Sequence, residues 1–112
     1  MQKTELKFNS QVCTTKEQSQ RLLDLGLKPE TADMYHTTFY RDNVGYKMIQ
    51  VRNEKLPLLS QELPAWSLHR LIELMDVYEV ILEWKFGIYE CAISMLEERI
   101  KDGLINKEYL KL

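Results

Sequence analysis

The run Leu63-Pro64-Ala65-Trp66-Ser67-Leu68-His69-Arg70-Leu71-Ile72-Glu73-Leu74-Met75 constrains the fold more than any other stretch. Leu68, Leu71, Ile72 and Met75 fall at i, i+3, i+4 and i+7, one stripe of a 3.6-residue period. Ser67 precedes the stripe, and its hydroxyl can accept from an amide one turn into a helix. Trp66 and Leu71 then take the two positions of a hydrophobic staple. Pro64 restricts Leu63 to extended geometry, so the chain should enter stretched and turn sharply into the helix. His69, Arg70 and Glu73 fall on the other side and are expected in solvent. Trp66, beside a helix start, is expected in the core rather than as an exposed anchor.

A chain of 112 residues implies one domain, residues 1–112, with a single modest core that needs no staples. The net charge of −2 offers no global positive field to nucleic acid or to an anionic membrane. Residues 1–60 hold nine Lys or Arg against seven Asp or Glu, and residues 61–112 hold six against ten, so the second half is the acidic one. Cys13 and Cys91 are far apart and form no CxxC. The residues Met1-Gln2-Lys3-Thr4-Glu5 lack the apolar run of a signal peptide, and no segment approaches 18 continuous apolar residues. These features lead to the expectation of a soluble, cytoplasmic protein that does not engage a membrane.

Residues 1–13 are expected to be extended or loosely attached, with Leu6 and Phe8 alternating against Lys7 and Asn9. Thr14 with Glu17 three residues on has the spacing of a capping box and predicts a helix at about 15–25, stopped by Gly26. Pro29 suits the first turn of a short helix near 29–35. Residues 37–41 and 46–52 read as a hairpin joined by a loop of about five residues around Asp42, Asn43 and Gly45. Tyr78, Val80, Leu82, Trp84 and Phe86 alternate over nine residues, which favours a strand at 78–86 over a longer helix. Ile88, Ala92, Ile93, Leu96 and Ile100 share one face of a last helix at 88–102, with Glu90, Glu97 and Glu98 largely opposite and Gly103 closing it. Asn106 caps a final turn that Tyr109 and Leu110 should dock.

Together these elements predict an α+β fold: a small antiparallel sheet of about three strands, 37–41, 46–52 and 78–86. Three to four helices, 15–25, a short one near 29–35, 67–75 and 88–102, should cover one face. Leu71, Ile72, Leu82, Ile93 and Leu96 are expected to be buried.

Helix, Gly26 and a second short helix invite comparison with helix-turn-helix. Leu22, however, occupies the slot that wants a small residue, and Glu30 and Asp33 would meet phosphates with the wrong sign. The soft donors Cys13, His36, His69 and Cys91 lack the tight spacing of a zinc site, and Cys91 reads as a small hydrophobe. A Cys–His nucleophile pair could arise only in space. Glu79 and Glu83, if on one strand, would lie about 13 Å apart, too far for a shared carboxylate pair. The four glycines are isolated and form no phosphate-binding loop. Tyr40, Tyr46 and Trp84 could present rings to single-stranded nucleic acid near Arg41, Lys47 and Arg52, but core packing is the expected use of those rings. No catalytic, cofactor-binding or metal-binding residue is assigned, and an enzyme is not expected.

Several blocks carry a resemblance: Thr15-Lys16-Glu17-Gln18-Ser19, Arg21-Leu22-Leu23, Gly26-Leu27, Glu30-Thr31-Ala32-Asp33-Met34, Leu63-Pro64-Ala65-Trp66-Ser67-Leu68 and Asn106-Lys107-Glu108-Tyr109-Leu110. In this combination the chain resembles a group of small uncharacterised proteins of gut bacteria and their prophages. It departs from them at Glu98, where similar proteins often carry an aromatic residue. The resemblance implies a mobile-element origin and brings no activity, substrate or catalytic residue. The function expected is that of a non-enzymatic accessory protein, acting through an unknown protein partner or as a homo-oligomer. The alternative is a nucleic-acid-binding regulator using residues 15–35 and the 37–51 hairpin.

Overall fold

The computed structural model describes residues 10–53, 55–77 and 87–111. The expected strand at 78–86, with Leu82, Trp84, Glu79 and Glu83, lies outside the described residues, as do residues 1–9. In chain order the elements are α1 (Lys16–Asp24), a 3-10 turn (Pro29–Thr31), β1 (Met34–Arg41), β2 (Val44–Val51), β3 (Leu63–Ala65), α2 (Leu68–Met75), α3 (Ile88–Lys101) and a second 3-10 turn (Lys107–Tyr109). The fold is α+β, with an antiparallel sheet in the order β2-β1-β3.

The helix predicted from Ser67 is present as α2. Ser67 Oγ accepts from the Arg70 amide at 3.1 Å, and Trp66 and Leu71 on either side of the cap are fully buried. The stretched entry that Pro64 enforces is itself the third strand. Met34, Tyr35 and His36 face Ala65, Pro64 and Leu63 in register. A proline is tolerated there because, among the described strands, β3 lies at the edge. Leu71, Ile93 and Leu96 are buried as expected, and Ile72 is half-buried against the same core.

That core is centred on Trp66. Leu22 and Leu27 come from α1 and its exit, Leu71, Leu74 and Met75 from α2, Tyr89, Ala92, Ile93 and Leu96 from α3, and Ile105 from beyond it. α1 packs against β3 and α3, and α2 against α3. The helices therefore gather around one another and around the short edge strand, rather than spreading over one face of the sheet. Removing water from this cluster is the main stabilising term, at about 25 cal/mol per Å2 of apolar surface.

Three local expectations are corrected. The N-cap of α1 is Thr15, not Thr14, and the capping box closes with Gln18, not Glu17. Thr14 is held elsewhere: its amide donates to Trp66 O at 2.8 Å, its hydroxyl accepts from the Trp66 amide at 3.0 Å, and it meets Ser19 Oγ at 2.8 Å. The short helix near 29–35 is a single 3-10 turn, because β1 has already begun at Met34. The hairpin loop is two residues, Asp42 and Asn43, both at positive φ (52° and 65°). This is the turn whose twist matches that of the strands, and Asp and Asn tolerate its left-handed geometry.

The helix stops are those the glycines suggest. Gly26 (φ 96°) follows α1, with its own amide on Leu23 O and that of Leu27 on Leu22 O. Gly103 (φ 70°) repeats the arrangement after α3, on Ile100 O and, through Leu104, on Arg99 O. Asn106 caps the final turn through Glu108 N–H, and the segment beyond pairs with the exit of α1. Leu110 bridges to Leu27, Lys28 N–H donates to Tyr109 O at 2.8 Å, and Lys111 N–H donates to Gly26 O at 2.7 Å.

Candidate interaction surface

The soft donors are brought together only in part. Cys13 is buried, and its sulfur lies 4.0 Å from His36 Nε2. That nitrogen is also 2.7 Å from Thr14 O. A carbonyl only accepts, so Nε2 carries the ring proton and donates it to Thr14, and it cannot at the same time take a proton from Cys13. Burial, and then the charge of Asp33, push the Cys13 thiol up to about 11. The thiol packs with Met34 and Ala65, and the upward shift keeps it in the protonated, less nucleophilic form at neutral pH. His69 is exposed and lies 3.4 Å from Glu73, and Cys91 is half-buried on α3. Among the described residues no group of three or more His, Cys, Asp or Glu is placed to hold a metal ion.

A cleft of about 310 Å3 opens between the base of the hairpin and the following loop, lined by Tyr35, Arg52, Leu56, Leu59 and Glu62 among others. Two of its charged groups make hydrogen bonds within the chain. Arg52 is buried and donates to the carbonyls of Glu30, Ala32 and Leu56 at 2.7, 3.2 and 3.3 Å. Glu62 accepts from the Leu59 amide at 2.7 Å. Neither His36 nor His69 lines this cleft or the two shallower ones beside Glu30 and Thr31.

The feature that stands apart is the hairpin. β1 and β2 pair over eight residues each, whereas β3 faces only Met34, Tyr35 and His36. Beyond that point the two strands run on as a ribbon, and every residue from Thr38 to Lys47 is exposed. Phe39 and Tyr46 face each other across the strands on one side. Tyr40 lies on the other side, over Gly45: a Cβ there would stand 3.1 Å from the ring and 3.1 Å from Thr38 Cγ2. Phe39, Tyr40 and Tyr46 are 52, 69 and 51% exposed, which at ~150–250 Å2 per ring leaves roughly 300–400 Å2 of aromatic surface in water. Val44, Ile49 and Val51 extend the apolar surface along β2. The expectation that Tyr40 and Tyr46 serve core packing is thus overturned. The sequence signal for this surface was the run of apolar side chains on both faces of residues 37–51; how short the supporting strand is comes only from the structure.

The contacts of the acidic helix face are structural. Arg21 of α1 reaches Glu90 at 2.9 Å and Glu97 at 3.0 Å on α3, and Lys101 adds a second cation to Glu97 at 3.1 Å. Hydrogen bonds from Arg21 and then Lys101 hold the Glu97 carboxyl below the ordinary carboxylate range. Arg70, expected in solvent, is only 24% exposed at its side chain and donates to Thr31 O at 3.1 Å. Comparison of the chain with family models, with curated proteins and with solved structures gives no match.

Proposed function

We propose that the protein is a non-enzymatic accessory protein that acts in the cytoplasm, through a protein partner or by associating with itself. With the resemblance noted above, we take it to derive from a mobile element. The exposed aromatic and aliphatic surface of the Met34–Val51 hairpin carries this reading. Exposed apolar side chains on both faces of a ribbon that extends beyond its own core, Phe39, Val44 and Tyr46 on one and Tyr40, Ile49 and Val51 on the other, are the kind of surface proteins use to dock. The arrangement of Cys13 and His36, and the engaged ions of the cleft, support a reading without catalysis.

The alternative, a nucleic-acid-binding regulator, draws on Arg41 and Lys47 beside the exposed rings. Against it, the segment after Gly26 is one 3-10 turn rather than a recognition helix. Arg52 spends its guanidinium on backbone carbonyls, and Tyr40 and Tyr46 lie on opposite faces of the ribbon, so they do not form one stacking platform.

Affinity capture from native lysate, with and without nuclease, tests the proposal. The expected result is a partner, or a second tagged form of the same chain, that survives nuclease and is lost in the double variant Phe39→Ser/Tyr46→Ser. Capture abolished by nuclease would replace this reading with the nucleic-acid one.

A further inference from the structure

We infer that the outer edge of β2 pairs antiparallel with the same strand of a second copy, about a two-fold axis beside Met48. This deepens, and rests on, the self-association half of the function proposed above.

The hydrogen-bond phase of the hairpin shows which groups are free. Arg52 N–H donates to Asp33 O at 2.9 Å, one step beyond the register in which Met34 faces Val51. Bonded and non-bonded pairs alternate in an antiparallel ladder. Tyr35–Gln50, Thr37–Met48, Phe39–Tyr46 and Arg41–Val44 are therefore the bonded pairs. Gly45, Lys47, Ile49 and Val51 consequently turn N–H and C=O away from β1, and no described residue takes them up. The devices that ordinarily blunt an edge are nearly absent: β2 has no proline, its register with β1 runs without a bulge, and Lys47 is its one charge.

Charge and geometry select the register. A two-fold axis normal to the sheet keeps each face of the strand on its own side, so the axis falls beside a single residue. Centred on Lys47, it would set two ammonium groups directly opposite each other. Centred on Ile49, it would need Asn53 to pair with Gly45, yet Asn53 O already accepts from Leu56 N–H at 3.0 Å. Centred on Met48, Gly45 meets Val51, Lys47 meets Ile49, and all four outward residues of both strands are used. Shape agrees. Val51 is 78% exposed and would sit beside the one position on β2 without a side chain, where the Tyr40 ring already lies across the gap. The joined sheet would run β3-β1-β2-β2-β1-β3, with Phe39 and Tyr46 of both copies on one face. An edge of this length covers less than the ~800 Å2 per partner of a standard interface, so the association should depend on concentration.

The test uses the full chain carrying Cys91→Ser, which leaves only the buried Cys13. Sedimentation equilibrium over a concentration series should show a monomer–dimer transition. Met48→Cys should form an interchain disulfide under mild oxidation roughly tenfold faster than Lys47→Cys or Ile49→Cys, because the central non-bonded pair has the Cα separation that a disulfide needs. Ile49→Pro removes an N–H that the monomer does not use, so it should keep the circular dichroism spectrum and lose the dimer. A chain that stays monomeric at every concentration, or that crosslinks fastest through Lys47→Cys or Ile49→Cys, overturns the inference. If the monomeric chain still captures a partner that the Phe39→Ser/Tyr46→Ser variant loses, the self-pairing fails while the interaction reading stands.

Discussion

Asp33 holds Ser67 twice, accepting from its backbone N–H at 2.9 Å and from its hydroxyl. The same hydroxyl accepts from Arg70 N–H, and the next amide, Leu68 N–H, donates to Tyr89 Oη at 3.1 Å. One carboxylate before β1 and one phenol on α3 thus fix where α2 begins. Asp33→Ala leaves the Ser67 amide without its charged acceptor. It should cost about 2–3 kcal/mol, read as a lower urea midpoint with an unchanged m-value.

The bridge from Arg21 to Glu97 makes stability depend on acid. The folded-state pKa of Glu97 lies below its unfolded value of about 4.3. Its contribution is therefore present in full above that value and lost as pH falls through the folded one. Arg21→Met should flatten the decline of stability with acid on that limb, measured by urea titration at a series of pH values. Because Arg21 and Glu90 are 40 and 42% exposed at their side chains, added salt should narrow the difference between the two proteins.

Cys13 and Cys91 should react at very different rates with an aromatic disulfide reagent. With the Cys13 thiol pushed up to about 11, its thiolate is scarcer than that of an ordinary cysteine near 8.5 by roughly a hundredfold or more. One equivalent should react promptly at pH 8 and the second only on unfolding. Cys91→Ser should remove the fast phase and leave the slow one.

Asn43, at φ 65°, bears the left-handed cost of the two-residue turn together with Asp42. Asn43→Ala should lower stability by about 1–2 kcal/mol, and Asn43→Gly should be neutral or stabilising. Thermal melts of the three proteins provide the comparison.

What was legible in the sequence was what local chemistry decides. Ser67 before an apolar stripe, Gly26 and Gly103 after two others, and Asn106 before a final turn each specify a helix end through hydrogen bonds made within a few residues. What was not legible depended on distant partners. Thr14 and Thr15 both stand three residues before a side chain able to close a capping box. Thr15 is the cap because Thr14 is engaged by Trp66 and Ser19. Leu63–Ala65 reads as an entry to α2, and it becomes a strand only because Met34 and His36 come to meet it. The ring pattern of Phe39, Tyr40 and Tyr46 matches that of buried strands, and nothing in their spacing records how little of the ribbon the helices cover.

The pairing of Tyr109, Leu110 and Lys111 with Gly26, Leu27 and Lys28 has a kinetic consequence. The hairpin, closed by a two-residue turn, can form within microseconds from its own residues. The cluster around Trp66 cannot be sealed on the α1 side until residues 109–111 are available to pair with 26–28. During synthesis, therefore, this ribbon with its exposed rings would emerge and could zip up before the core that anchors it is complete. In that interval its open edge would be the first structured surface a neighbouring nascent chain could meet.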